Sequence, residues 1–262
     1  METNDIINLI NDILFVLAGI IVSIFALRRK NTGEIVSLPS FTISEMLLTI
    51  IGLVIASIGP NVLIVALTPG LVEMPFLAAN VLLPSVILWV AITIIAKVTK
   101  RDRLYNRLII GAWVGAASTG FLDAIRLTGF HLGYMPGNMP RMFGVLIMDT
   151  MATGPTPLSD LLGSLYHYWV GACFGLTLTL IGGKIKWWWG LIWGLVIEIG
   201  MMTTPPMVVA MDTGYFGSKF GPGLFIVSFL AHIALGIVMG LLAEKYVLHK
   251  GNIFHLAKSL MK

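Results

Sequence analysis

Two histidines stand in stretches that otherwise belong in oil. His167 opens "HYWVGACFG" and His232 opens "HIALGIVMG". In both, glycines follow at i+4 and i+8: Gly171 and Gly175, then Gly236 and Gly240. At 3.6 residues per turn these positions share one helical face. Each segment therefore presents a smooth stripe with an imidazole at one end. Glu198 lies midway along another apolar run. An ionised group at the bilayer centre costs at least about 2.5–3.5 kcal/mol and usually faces a partner or a cavity.

Three kinds of chemistry suit this set. The imidazoles can stay neutral and hydrogen-bond a carbonyl across a tight glycine crossing. Glu198 can exchange protons with His167 in a relay, with Asp123 and Arg126 available to extend it. Or His167 and His232 can bind a centre: haem b between two axial histidines, or a metal held by histidine and Glu198. Two further groups have useful spacing. Asp123 and Arg126 are i, i+3 and can pair. With His131, Arg141, Asp149, Asp160 and Asp212 they can line an outer polar vestibule, or His131, Asp160 and Asp212 can be solvated loop charges. Met135, Met139 and Met142 in "MPGNMPRM" can offer thioethers to a soft ion such as Cu(I), or fill irregular packing gaps.

Other chemistry is excluded or unsupported. Cys173 is the one cysteine, so thiolate zinc sites, iron–sulfur clusters and an internal disulfide are ruled out. There is no GxSxG, HExxH or P-loop. A non-catalytic protein is favoured, with a lipid-modifying activity of the outer loops left open.

The elements that must position these residues follow from composition. The 262-residue chain is 57% hydrophobic and 11% charged, against about 25% charged in soluble domains. Its mean hydropathy of +0.91 makes the lipid bilayer its solvent. The net charge of +4 is then no sign of nucleic acid. A helix crosses with about 20 apolar residues, and seven runs are long enough: 6–27, 43–67, 76–98, 108–127, 158–182, 187–209 and 222–245. The expected fold is an all-α, polytopic seven-helix bundle. Thr42 and Glu45 have capping-box spacing. Pro60 and Pro84 should kink the second and third spans, and "TTPPM" (203–207) should break the sixth near its outer end.

Basic residues orient the bundle. Arg28, Arg29 and Lys30; Lys97, Lys100, Arg101, Arg103 and Arg107; Lys184 and Lys186; and Lys245, Lys250, Lys258 and Lys262 fall on one side of seven spans. That is 14 of 17 basic residues, which makes this side cytoplasmic and the N-terminus external. The expected location is the plasma or inner cell membrane. Trp187, Trp188 and Trp189 suit an interfacial anchor. Glu2 and Asp5 before the first run and Asp12 early within it argue for a retained helix rather than a cleaved leader. Residues 248–262 suit a cytoplasmic amphipathic tail.

A repeat organises the second half. "GAWVG" (Gly111, Gly115) precedes the first histidine helix and "GLIWG" (Gly190, Gly194) the second. The expected units are an N-terminal three-helix segment (1–107), one hairpin with a long outer loop (108–182) and a second hairpin (187–247). Both hairpins run in the same direction, a parallel repeat of the kind some transporters use. The 137–154 segment is either re-entrant or a surface helix.

The stretches "HYWVGACFG", "PPMVVAMDTGYFG" and "AHIALGIVMG" resemble prokaryotic multi-pass inner-membrane proteins of the YagU-like kind. The likeness covers about residues 108–245. It implies paired glycine-rich helices with membrane histidines and supplies no catalytic residue. Two functions are then in play. One is a non-catalytic subunit of a respiratory, redox or metal-linked membrane complex, with other membrane subunits or a second copy as partners. The other is a proton-coupled carrier of a small solute or metal.

Overall fold

The computed structural model describes residues 3–29 and 40–260. Glu2, Lys30 and Lys262, used above, lie outside the described residues. The described residues are helical, with no strand among them. The helices are α1 (Thr3–Arg28), α2 (Ile43–Ala66), α3 (Met74–Val98), α4 (Asp102–His131), α5 (Met139–Met148), α6 (Pro157–Gly182), α7 (Trp187–Thr203), α8 (Pro222–Tyr246) and α9 (Ile253–Ser259). Six of them, α1, α2, α3, α4, α6 and α8, are long and apolar enough to cross a membrane. Their outward faces carry large apolar side chains such as Phe25, Ile87 and Val98, which is how a multi-pass membrane protein meets acyl chains.

The expected span over 187–209 is shorter than its hydropathy suggests. α7 stops at Thr203 because Thr204 is extended ahead of Pro205 and Pro206, and proline disfavours helix in the residue before it. A separate π turn, Pro206–Ala210, follows. At 1.5 Å per residue the 17 residues of α7 cover about 26 Å. The hydrocarbon core is about 30 Å thick.

Other local expectations are met in altered form. A π turn at Ala78–Leu82 lies just ahead of Pro84 inside α3. Thr42 caps α2 by accepting from the Glu45 N–H at 3.2 Å. The Glu45 carboxylate turns to Arg103 instead of completing a capping box, accepting two bonds of 2.8 Å. Thr156 and Ser159 form a full capping box on α6. The 137–154 segment contains α5, capped by Asn138. It sits so close to α6 that a Cβ on Gly144 or Gly163 would strike backbone of the other helix. α9 forms within the expected tail, with Leu256 turned inward and Phe254 exposed.

Two close pairs form the core: α4 with α6 and α7 with α8. α4 joins them by packing on α8, and α1 packs on α4. α2 packs on the outer side of α6, and α3 packs on α2 and α4. Glycine sets the spacing within each pair. A Cβ on Gly115 would overlap the Gly171 carbonyl oxygen, and one on Gly175 the Gly111 carbonyl oxygen. In the second pair, Gly190 lies against Gly236 and Gly240, and Gly194 against Gly236 and the His232 carbonyl. Only backbone faces backbone there, the close approach that favours helix association in lipid.

Candidate functional site

The glycine seams carry each histidine onto a carboxylate. On the first pair, His167 Nε2 lies 2.9 Å from Asp123 Oδ1. On the second, His232 Nδ1 lies 2.7 Å from Glu198 Oε2. All four side chains are buried. Asp123 is eight residues beyond Gly115, and Glu198 eight beyond Gly190; Gly175 and Gly240 are likewise eight beyond their histidines. The two seams therefore deliver their pairs at one register. This register matches Gly115 with Gly190, one turn away from the sequence-level pairing of "GAWVG" with "GLIWG".

Facing an ionised carboxylate, which only accepts, His167 Nε2 and His232 Nδ1 would be the donors. His232 Nδ1 also lies 2.9 Å from the Ser228 carbonyl oxygen, and Ser228 Oγ donates to Glu198 Oε2 at 2.8 Å. The second nitrogen of each ring is left over. His167 Nδ1 is buried and has no partner among the described residues, and the same holds for Glu198 Oε1.

Both imidazoles line one cavity of ≈ 260 Å³. α2, α4, α5, α6, α7 and α8 all contribute, and the wall is largely apolar: Leu63, Leu122, Phe143, Phe174, Trp193 and Leu235 among others. Arg126 also lines it. Its residue is 7% exposed, Nη2 has no partner, and Nη1 meets only Met201 Sδ, at 3.6 Å. Asp123 makes its direct contact with His167, while Arg126 feels the charges of Asp123 and Glu198 without an ion pair to either. His167, His232, Glu198, Asp123 and Arg126, four of which the relay expectation had joined, thus gather around one cavity.

The outer vestibule is not assembled as expected. Asp160 is fully buried beneath Arg141, at 3.4 Å. Arg141 also pairs with Asp12 of α1 at 3.1 Å. Asn138 donates to Asp12 at 2.8 Å and Asn11 to Asp160 at 3.0 Å. This network clamps α1, α5 and α6 together. Asp149 ends α5 in a left-handed conformation, and Asp212 pairs at the surface with Lys219. The sequence offered no signal for Asp12–Arg141, since 129 residues separate them.

Met135 and Met139 are buried with Phe143, Tyr166, Met202, Met207 and Leu224, and Met142 packs against them. The three methionines thus sit in an apolar cluster. Among the described residues no three His, Cys, Asp or Glu side chains form a metal-holding group. Cys173 is free and buried.

On the side where basic residues cluster, Arg107 is buried and donates to the Gly251 carbonyl at 2.5 Å, fixing the segment that carries His249. Burial, and then the nearby Arg107 charge, push the His249 imidazole below its ordinary pKa.

No protein-family model, curated protein or solved structure matches the chain.

Proposed function

We propose that the chain is a proton-linked carrier of a small solute, with the Arg126 cavity as its working site. One observation carries this: two histidine–carboxylate pairs and an arginine in no direct ion pair, its Nη2 unpartnered, surround a single intramembrane cavity. Ionisable groups inside a membrane bundle mark substrate and proton paths far more often than they serve packing. His167–Asp123 and Glu198–His232 are the proton-holding pairs. In this reading α7 and its π turn make the seventh span, the N-terminus is external, and the hairpins α4–α6 and α7–α8 are a parallel repeat. The shared register of the two seams supports the repeat. The break after Thr203 supports an outward-facing entrance, since irregular backbone at membrane depth is tolerated against protein or a wet cavity.

The test uses proteoliposomes with a trapped pH dye and a panel of small anions, cations and neutral solutes. At least one solute class should evoke proton movement, abolished in both Glu198→Gln and Asp123→Asn. Movement that survives both substitutions overturns the relay.

A second reading rests on the leftover ring nitrogens. A histidine that ligates a metal almost always gives its other N–H to a carboxylate or carbonyl, and His167 and His232 both do so. In that reading the chain is a non-catalytic haem-binding subunit of a membrane complex, and the ≈ 260 Å³ cavity would have to widen to admit the macrocycle. Protein purified from native membranes should then show a Soret band that His167→Ala and His232→Ala each remove. A colourless preparation rejects it.

A further inference from the structure

We infer that the cavity takes a single-chain lipophilic monoanion, whose carboxylate pairs with Arg126 and whose binding draws in one proton. The substrate class rests on the carrier reading above.

Arg126 is the first reason. A buried guanidinium without a direct carboxylate contact is costly; Asp123 and Glu198 act on Arg126 only from beyond ion-pair distance, Nη2 is unpartnered and the side chain faces the cavity. Arginine's fork matches a carboxylate in bidentate fashion. The remaining wall is apolar, so the rest of the ligand must be apolar too. At ≈ 260 Å³ the cavity lies at the lower edge of the about 300–1,000 Å³ typical of small-molecule sites. That admits one short chain or a ring system and excludes a two-chain phospholipid. Val196 both lines the cavity and is 49% exposed. The chamber therefore reaches the bundle's perimeter at α7, where such a ligand would already be dissolved in the bilayer.

Charge balance is the second reason. The groups facing the site are Asp123 and Arg126 from α4, His167 and Tyr166 from α6, Glu198 from α7 and His232 from α8. α2 and α5 add no titratable side chain to the wall; behind it, Tyr168 lies edge-on to His167, and Asp12 of α1, which acts on Asp123, is held by Arg141. With both carboxylates ionised and Arg126 cationic, neutrality needs one proton on the two imidazoles. A bound anion adds a negative charge, and a second proton, on His167 Nδ1 or the free nitrogen of His232, restores balance. Low-dielectric sites favour that balance. Ligand and proton thus enter together as a neutral unit.

The full chain in lipid nanodiscs is titrated with decanoate, decanol and decyltrimethylammonium. Fluorescence is read from Trp193, which lines the cavity, using Trp193→Phe to identify its signal. Decanoate should bind at least tenfold tighter than the other two. Arg126→Gln should lose at least tenfold in decanoate affinity, while its melting temperature is unchanged or raised, because a buried charge in no direct ion pair is removed. In weak buffer each decanoate bound should withdraw one proton. Equal binding of decanol, or decanoate binding by Arg126→Gln within twofold of the parent, overturns the anion assignment. Binding without proton uptake overturns the coupling. If decanoate fails while another solute drives proton movement, the carrier reading stands and the substrate class falls. If nothing drives proton movement, both fall.

Discussion

Gly115→Ala tests whether the seams hold the site. The new Cβ would overlap the Gly171 carbonyl oxygen, and in Gly175→Ala it would overlap that of Gly111. These are backbone atoms and cannot rotate aside, so α4 and α6 must part. Overpacking costs about 1–3 kcal/mol, and the rigid neighbour places this case near about 3. Replacing glycine by alanine inside a helix returns about 1 kcal/mol. The net loss is about 2 kcal/mol, about 30-fold in the folding equilibrium. Gly190→Ala and Gly240→Ala, which meet the Gly240 Cα and the Trp187 carbonyl oxygen, should lose a similar amount. Gly115→Ala with Gly190→Ala, on separate seams, should lose about 4 kcal/mol. Gly200→Ala is the control: nothing lies within 4 Å of its added Cβ, so it should be neutral or gain up to about 1 kcal/mol. The assay is equilibrium unfolding in mixed micelles by sodium dodecyl sulfate, followed by far-ultraviolet circular dichroism. Should Gly115→Ala and Gly175→Ala unfold with Gly200→Ala, the seams do not set helix spacing.

Two further outcomes are open to the same assay. Arg103→Met leaves Glu45 buried without its bidentate partner and should lose about 3 kcal/mol, while Arg103→Met with Glu45→Leu should recover most of it; equal losses would show that the pair itself is not what matters. His249 has a folded-state pKa below its unfolded value, so the unfolded chain binds more protons as pH falls through the ordinary histidine range near about 6.5. Its contribution is therefore complete above that range and is lost on acidification below it. His249→Gln should flatten that slope, and an unchanged pH profile would reject the assignment.

Much of the architecture was legible because lipid imposes a length and composition rule that single runs obey. The i+4 glycine stripes were equally plain, and the seams use them. Their partners were harder to read. A four-residue repeat offers several registers of nearly equal appearance, and the structure sets Gly115, not Gly111, between Gly171 and Gly175 as it sets Gly190 between Gly236 and Gly240. The i, i+3 spacing let Asp123 pair with Arg126; packing gave its direct contact to His167, 44 residues away. Asp12 read as an N-terminal acid, whereas it lies inside the bundle against Arg141. Long-range partners of this kind leave no trace in periodicity. "TTPPM" did announce the break in α7, yet hydropathy alone carried the expected span past it.

α7 also has a consequence for the host bilayer. In the proposed seven-span arrangement α7 is some ångströms shorter than the hydrocarbon around it, a hydrophobic mismatch relieved by local thinning or by drawing polar backbone inward. Since Trp193, Val196 and Glu198 all ride on that helix, acyl-chain length becomes a control on the chamber's shape. Vesicles of shorter-chain lipids should hold it relaxed, and thick, sterol-rich ones should stretch it.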